Sequence, residues 1–195
     1  MKTRLISLIL LGLLGAAPSV RAELKYTFVD LAYQYHDYEG EEVDGGHGFK
    51  LGLSVSPIPI LFFTGSLAYS QAESSFLESY DVDDFTAMLG GGGYLPLGDV
   101  FHLVGEVGVI YSQVDTSLKD LEVDETGFYV RPQVRVAVTE QFELNGGARF
   151  TTVENSTARF NVGLGVDLIE HIRLLGDFEF GEEENIFTGG IRLQW

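Results

Sequence analysis

The feature that most constrains this chain is a strict two-residue alternation of apolar and polar side chains, repeated about ten times and kept to the last residue. In the final segment Phe187, Gly189, Ile191, Leu193 and Trp195 share one phase, while Thr188, Gly190, Arg192 and Gln194 share the other. Successive side chains of a strand point to opposite faces, so such a segment has one apolar and one polar face. The same division separates Phe160, Val162, Leu164, Val166 and Leu168 from Arg159, Asn161, Gly163, Gly165 and Asp167. It also separates Phe49, Leu51, Leu53 and Val55 from Gly48, Lys50, Gly52 and Ser54. One protein core can absorb one such face. About ten in a chain of 195 residues exceed what a soluble sandwich buries, so the apolar faces are predicted to meet lipid.

The spacing predicts ten strands, at Leu24 to Asp37, His47 to Ser56, Leu61 to Gln71, Asp84 to Leu95, Val100 to Ser112, Thr126 to Val138, Phe142 to Thr152, Ala158 to Leu168, Ile172 to Gly181 and Ile186 to Trp195. A tilted strand crosses a bilayer in about 9 to 11 residues, which each segment supplies. Short turns at Ser56 to Ile60, Pro96 to Asp99, Thr139 to Gln141 and Ile169 to His171 alternate with connections that are mostly longer. That asymmetry is expected of a barrel with periplasmic turns and extracellular loops. An open sheet in hydrocarbon would strand two rows of backbone donors and acceptors, so the first strand must pair with the last. The expectation is an all-β, closed antiparallel transmembrane β-barrel of ten strands. Eight is the alternative, because the hairpin loops at Val153 to Thr157 and Glu182 to Asn185 are short.

Three local features qualify the scheme. Pro132 lies mid-strand on the lipid-facing phase, where it removes a ladder donor, and predicts a bulge or a local break. The Gly90 to Gly93 run sits inside an alternating segment and reads as a strand that lets large neighbours approach, rather than as a linker. Outward aromatics gather near both ends of the strands, with Tyr33, Tyr35, Tyr69, Phe85, Tyr111, Phe128, Phe150 and Phe187 toward the loops and Phe63, Phe101, Phe142 and Trp195 toward the turns. These are the positions of interfacial girdles.

Targeting and charge narrow the class. Lys2 and Arg4 precede an apolar run from Leu5 to Leu14, and Val20-Arg21-Ala22 offers a cleavage site, so residues 1–22 read as a signal peptide and residues 23–195 as one barrel domain. There is no cysteine, which excludes lipid attachment at a cysteine and any disulfide. Removing Lys2, Arg4 and Arg21 leaves nine basic residues against 29 acidic ones, a net charge of -20. Nucleic acid is excluded as a partner, because an acidic protein repels the phosphate backbone.

Phase also sorts the charges. Arg131, Arg135, Arg149, Arg159, Arg173, Arg192 and Lys50 all fall inward, together with Asp30, Glu106, Glu143, Asp167, Asp177 and Glu179. A charge on the lipid face at mid-membrane costs about 2 to 4 kcal/mol, which accounts for this sorting. Ten strands enclose little more than side chains, so a lumen plugged by salt bridges is expected in preference to an open pore. Counting from the turns pairs Asp30 with Lys50, sets Glu106 between Arg135 and Arg131, and places Arg173 beside Asp167. The loop regions hold the opposite bias, nineteen acids from Asp37 to Glu184 against the single base Lys119. They read as solvated, self-repelling loops, with capture of divalent cations as the functional alternative.

Catalytic chemistry is sparse. The four histidines are predicted at separate places: His36 inward near the outer rim, His47 at a strand start, His102 inward near the periplasmic end and His171 in a turn. Ser70 or Ser112 with His36 and Asp37 is a coincidence of common residues rather than a catalytic group. Asn155-Ser156-Thr157 is a glycosylation sequon by pattern alone. No catalytic, cofactor-binding or metal-ligating residue is assigned, and the chain is expected not to be an enzyme.

The segments Phe28-Val29-Asp30-Leu31-Ala32-Tyr33, Gly46 to Ser54, Gly65-Ser66-Leu67-Ala68-Tyr69-Ser70, Leu89 to Tyr94 and Thr188 to Trp195 carry a resemblance that covers the whole predicted mature chain. The chain resembles the small bacterial outer-membrane β-barrel proteins that include the diffusible-signal-factor-regulated barrels of plant-associated bacteria. The resemblance implies secretion and insertion by the barrel assembly machinery, which reads a terminal aromatic; Trp195 stands where Phe is commoner. It supplies no active-site residues. The expected role is structural or surface-interacting, as a monomer among outer-membrane lipid and lipopolysaccharide. The alternatives are a small enzyme acting on outer-leaflet lipid and a narrow pore.

Overall fold

Alternation becomes architecture through hydrogen bonding, because each two-faced strand needs a neighbour on both edges before it can enter hydrocarbon. The computed structural model describes residues 24–38, 45–74, 80–116, 122–153, 157–182 and 184–195. They form β1 (Phe28–Tyr38), β2 (Gly46–Ile58), β3 (Leu61–Ser74), β4 (Tyr80–Pro96), β5 (Phe101–Thr116), β6 (Glu122–Ala137), β7 (Phe142–Thr151), β8 (Ala158–Ile169), β9 (Ile172–Phe180) and β10 (Glu184–Gln194). Every strand is antiparallel to its sequence neighbours, and β1 pairs with β10 from Phe28↔Gln194 to Tyr38↔Glu184. The barrel is closed with ten strands, so no edge is left unpaired.

The predicted phase holds around the wall. Leu31, Phe49, Phe63, Leu89, Val107, Phe128, Val162 and Trp195 are each more than half exposed on the outer face. Gln34, Ser54, Ser70, Ser112, Asn161 and Gln194 are buried on the inner face. This is the inverse of a soluble protein and matches a barrel whose solvent is lipid.

Strand ends differ from the sequence reading in two ways. On the loop side, β4 starts at Tyr80 rather than Asp84, β5 runs to Thr116, β6 starts at Glu122 and β10 at Glu184. Pairs such as Asp83↔Asp115 and Gln113↔Asp124 continue the ladder through polar residues, because backbone pairing does not stop where hydrophobicity does. On the turn side, β1 begins at Phe28 rather than Leu24. There the Trp195 amide donates to the Thr27 carbonyl at 3.2 Å. Leu24 and Tyr26 leave the wall and are buried inside.

Pro132 produces a local break without a bulge. Pairing of β6 with β7 stops after Val130↔Phe150 and resumes at Gln133↔Gly147 in the same register, while the β5 side stays continuous through Gly105↔Pro132. The glycine run is a strand, as expected. A Cβ at Gly90 would collide with Tyr129, and one at Gly91 would press on the Phe63 ring at 3.2 Å. The Pro59-Ile60 turn holds Ile60 at φ 74°, and Gly98 takes φ 88° in the next short turn. The predicted signal peptide, most of the loop residues between strands on the acidic side, and Asn155 and Ser156 of the sequon lie outside the described residues.

Candidate functional site

The inward phase of ten strands converges on one lumen, and its charged side chains are organised in two tiers. In the tier near the short turns, Glu143 of β7 is gripped by Arg135 of β6 through Nε at 2.6 Å and Nη2 at 2.9 Å. The same carboxylate accepts from Arg173 of β9. Arg173 also donates a two-pronged pair to Asp167 of β8, at 2.6 and 2.8 Å, across the turn that joins their strands. Arg192 makes a matching fork to Asp30, at 2.7 and 2.8 Å, with its guanidinium 3.5 Å from the Phe28 ring centroid. Planar forks of this kind give both orientation and strength to a buried pair.

The tier near the loops is a second chain of pairs. Arg149 donates to Glu179, Arg159 lies 3.9 Å from Glu179 and donates to Glu184 at 2.5 Å, and Glu184 accepts from His36 Nδ1. Between the tiers, the Glu106 carboxylate is held by neutral donors, Thr64 Oγ1 at 2.8 Å and the Tyr129 hydroxyl at 2.5 Å. Asp177 accepts from the Asn161 amide at 3.1 Å.

Two cavities occupy the space left over. One of about 70 Å³ lies toward the loops and is lined by His36, Ser70, Ser112 and Glu184 among others. The other, about 200 Å³, lies toward the turns, with Tyr26, Phe62 and Val104 among its lining residues. Lys50, Ser66, Met88, Arg149, Asp177 and Thr188 border both, so the cavities meet at a waist. There Arg149 spans the lumen, donating toward Met88 Sδ at 3.7 Å.

An apolar cluster closes the turn end. Leu24, Tyr26, Phe62, Val104 and Ala137 pack together with Tyr94 and Val100 against them. The Tyr26 ring stacks on Tyr94 at 4.0 Å and 3°, on Phe62 at 5.4 Å and 22°, and lies 5.9 Å from His102, with whose Nδ1 its hydroxyl shares a 2.9 Å hydrogen bond. The Arg135 guanidinium lies 4.5 Å from the same ring centroid.

Several sequence expectations are corrected by this geometry. Asp30 pairs with Arg192, not Lys50, because its direct neighbours across the ladder are Arg192 and Gly52, and Lys50 faces Ala32 one pair higher. Glu106 does sit opposite Arg131, but its carboxylate turns to Thr64 and Tyr129 instead of an arginine. Glu184, read as a loop acid, is buried in the lumen; it has the parity of Ile186 and Thr188, and extending the phase by one residue pair would have found it. Asp37 lies exposed on the outward phase, away from His36. Ser70 and Ser112 share a cavity with His36, yet His36 Nδ1 is bound to Glu184 and its Nε2 has no hydrogen-bond partner among the described residues. The pairing of Arg173 with Asp167 is found as expected. His47 faces outward beside Tyr33, whose hydroxyl it contacts, and His171 donates from its turn to the Gln194 carbonyl at 3.0 Å.

Comparison with known proteins agrees with the architecture. The family whose model matches is the outer membrane protein beta-barrel domain, over residues 6–179. No curated protein sequence matches the chain. Among solved structures, an outer membrane channel from Pseudomonas putida F1 superposes with a TM-score of 0.51 at 9% identity, covering 92% of this chain and 100% of that one. The translocator domain of the autotransporter NalP from Neisseria meningitidis gives 0.48 at 12% identity, covering 100% and 95%. The attachment invasion locus protein of Yersinia pestis, solved with a heparin analogue, gives 0.49 at 11% identity, covering 88% and 97%. At these identities the likeness concerns the fold alone.

Proposed function

Because the chain belongs to the outer membrane protein beta-barrel domain family and resides in the bacterial outer membrane, we propose that it is a plugged barrel whose work is done at the cell surface. The observation that carries this reading is the pair of ion-pair tiers across the lumen, from Arg135, Glu143, Arg173 and Asp167 below to Arg149, Glu179, Arg159 and Glu184 above. Side chains committed to one another in this way stiffen the wall and occupy the route a solute would take. The acidic loops then face the medium, where hard divalent cations bridge their carboxylates to the phosphates of lipopolysaccharide. Assembly through the barrel assembly machinery and a monomeric state complete the reading, and the strand motifs alone support the finer placement among diffusible-signal-factor-regulated barrels.

Planar-bilayer recording on the refolded protein tests the plug. The expected result is a silent membrane; steady conductance steps from the wild-type chain would sink the proposal.

A further inference from the structure

Two connected cavities of the lumen lie above an apolar cluster at the turn end. Above the floor, Lys50, Ser66, Arg149, Asp177 and Thr188 supply polar groups to both cavities, and the larger, of about 200 Å³, has room for water beside them. At the floor, Leu24, Tyr26, Phe62, Val104 and Ala137 pack beside the Arg135, Glu143 and Arg173 pairs of the same tier, and apolar surface in a constriction opposes the passage of water and ions. The waist is bordered by single side chains, Arg149 held by Glu179 among them, whereas Tyr26 is wedged between stacked rings.

The floor has a second property. Leu24 and Tyr26 belong to no strand, so the ladder that closes the barrel is complete without them. The segment is held from the side instead: Ser54 Oγ donates to the Tyr26 carbonyl at 2.7 Å, Arg135 Nη1 to the Lys25 carbonyl at 3.1 Å, and Lys25 Nζ to the Glu170 carbonyl at 2.9 Å. We infer that residues 24–27 are a separable cork at the periplasmic mouth, and that with the cork displaced the lumen passes small hydrated ions. The acidic loops at the opposite mouth favour cations among them. This inference rests on the reading of the closed barrel as plugged, and it moves the decisive seal from the ion pairs to Tyr26 and its ring partners.

Potassium efflux from proteoliposomes tests it with full-length, refolded protein. Tyr26→Ala is expected to raise efflux at least tenfold over wild type while keeping the heat-modifiable gel shift of a closed barrel. Phe62→Ser, on the wall in β3, leaves the cork chain intact and is expected to leak as well, because it wets the same cross-section. Leu24→Ser, outside every strand, serves in the same way should either variant fail to fold. Silent, folded variants beside a silent wild type would overturn the cork and leave the plugged reading standing. A wild type that leaks as fast as Tyr26→Ala would overturn both.

Discussion

Carboxylates of the same charge and the same inward phase have different worth in this lumen, and the difference is set by their donors. Glu143 is clamped between Arg135 and Arg173, so replacing it with Leu leaves the buried Arg135 guanidinium without a carboxylate and Arg173 with Asp167 alone. Breaking a buried pair in this manner costs about 3 to 5 kcal/mol. Glu106 is held by Thr64 and Tyr129, both neutral, and Glu106→Gln keeps an acceptor in place. The destabilisation is expected to be about 1 to 2 kcal/mol, the order of the difference between hydrogen bonds to a charged and to a neutral acceptor. Urea unfolding in liposomes separates the two. Equal losses would mean that the tiers do not act as ion pairs, and a loss at Glu106 above that at Glu143 would reverse the ranking.

At the scale of the element, β4 and β5 owe their smooth inner surface to glycine. Tyr129 of β6 is 1% exposed and lies across Gly90 and Gly108, and a Cβ at Gly108 would come within 2.6 Å of Tyr129 Cε1. Any side chain at Gly90 therefore evicts the Tyr129 ring and with it the hydroxyl that holds Glu106. Gly90→Leu is expected to destabilise by about 1 to 3 kcal/mol, the usual range for overpacking a filled interior. The same urea measurement checks it, and an unchanged midpoint would mean that the ring has an alternative seat. Pro132 shows the complementary case, an element that tolerates a missing donor: β6 loses pairing with β7 for two residues and recovers its register, because closure on both sides leaves no room for a slip.

For the whole molecule the decisive asymmetry is electrostatic. The wall is apolar toward lipid, the lumen pairs most of its charges internally, and the excess of acid predicted from composition is left to the loop end. Self-repulsion among exposed like charges is screened by salt within about 10 Å at 0.1 M, while buried pairs are screened far less. Raising sodium chloride from about 10 to 200 mM, at which the screening length falls below 10 Å, is thus expected to increase the urea midpoint. A fall in the midpoint would indicate that the lumenal pairs are exposed to solvent ions.

Much of this was legible in the chain itself. A period of two is local, so the faces and the inward phase of every strand arginine follow from residue parity, and Arg173 beside Asp167 follows from a single tight turn. Which charges meet across the lumen is a different kind of fact. It depends on the stagger between strands and on where each ladder ends, and these placed Asp30 on Arg192, turned Glu106 to Thr64 and Tyr129, and brought Glu184 inside. The cork was hidden for the same reason. Leu24 and Tyr26 share the inward parity of Asp30, so their facing follows from the alternation, but that β1 begins only at Phe28 and leaves residues 24–27 outside every strand is decided by the ladder.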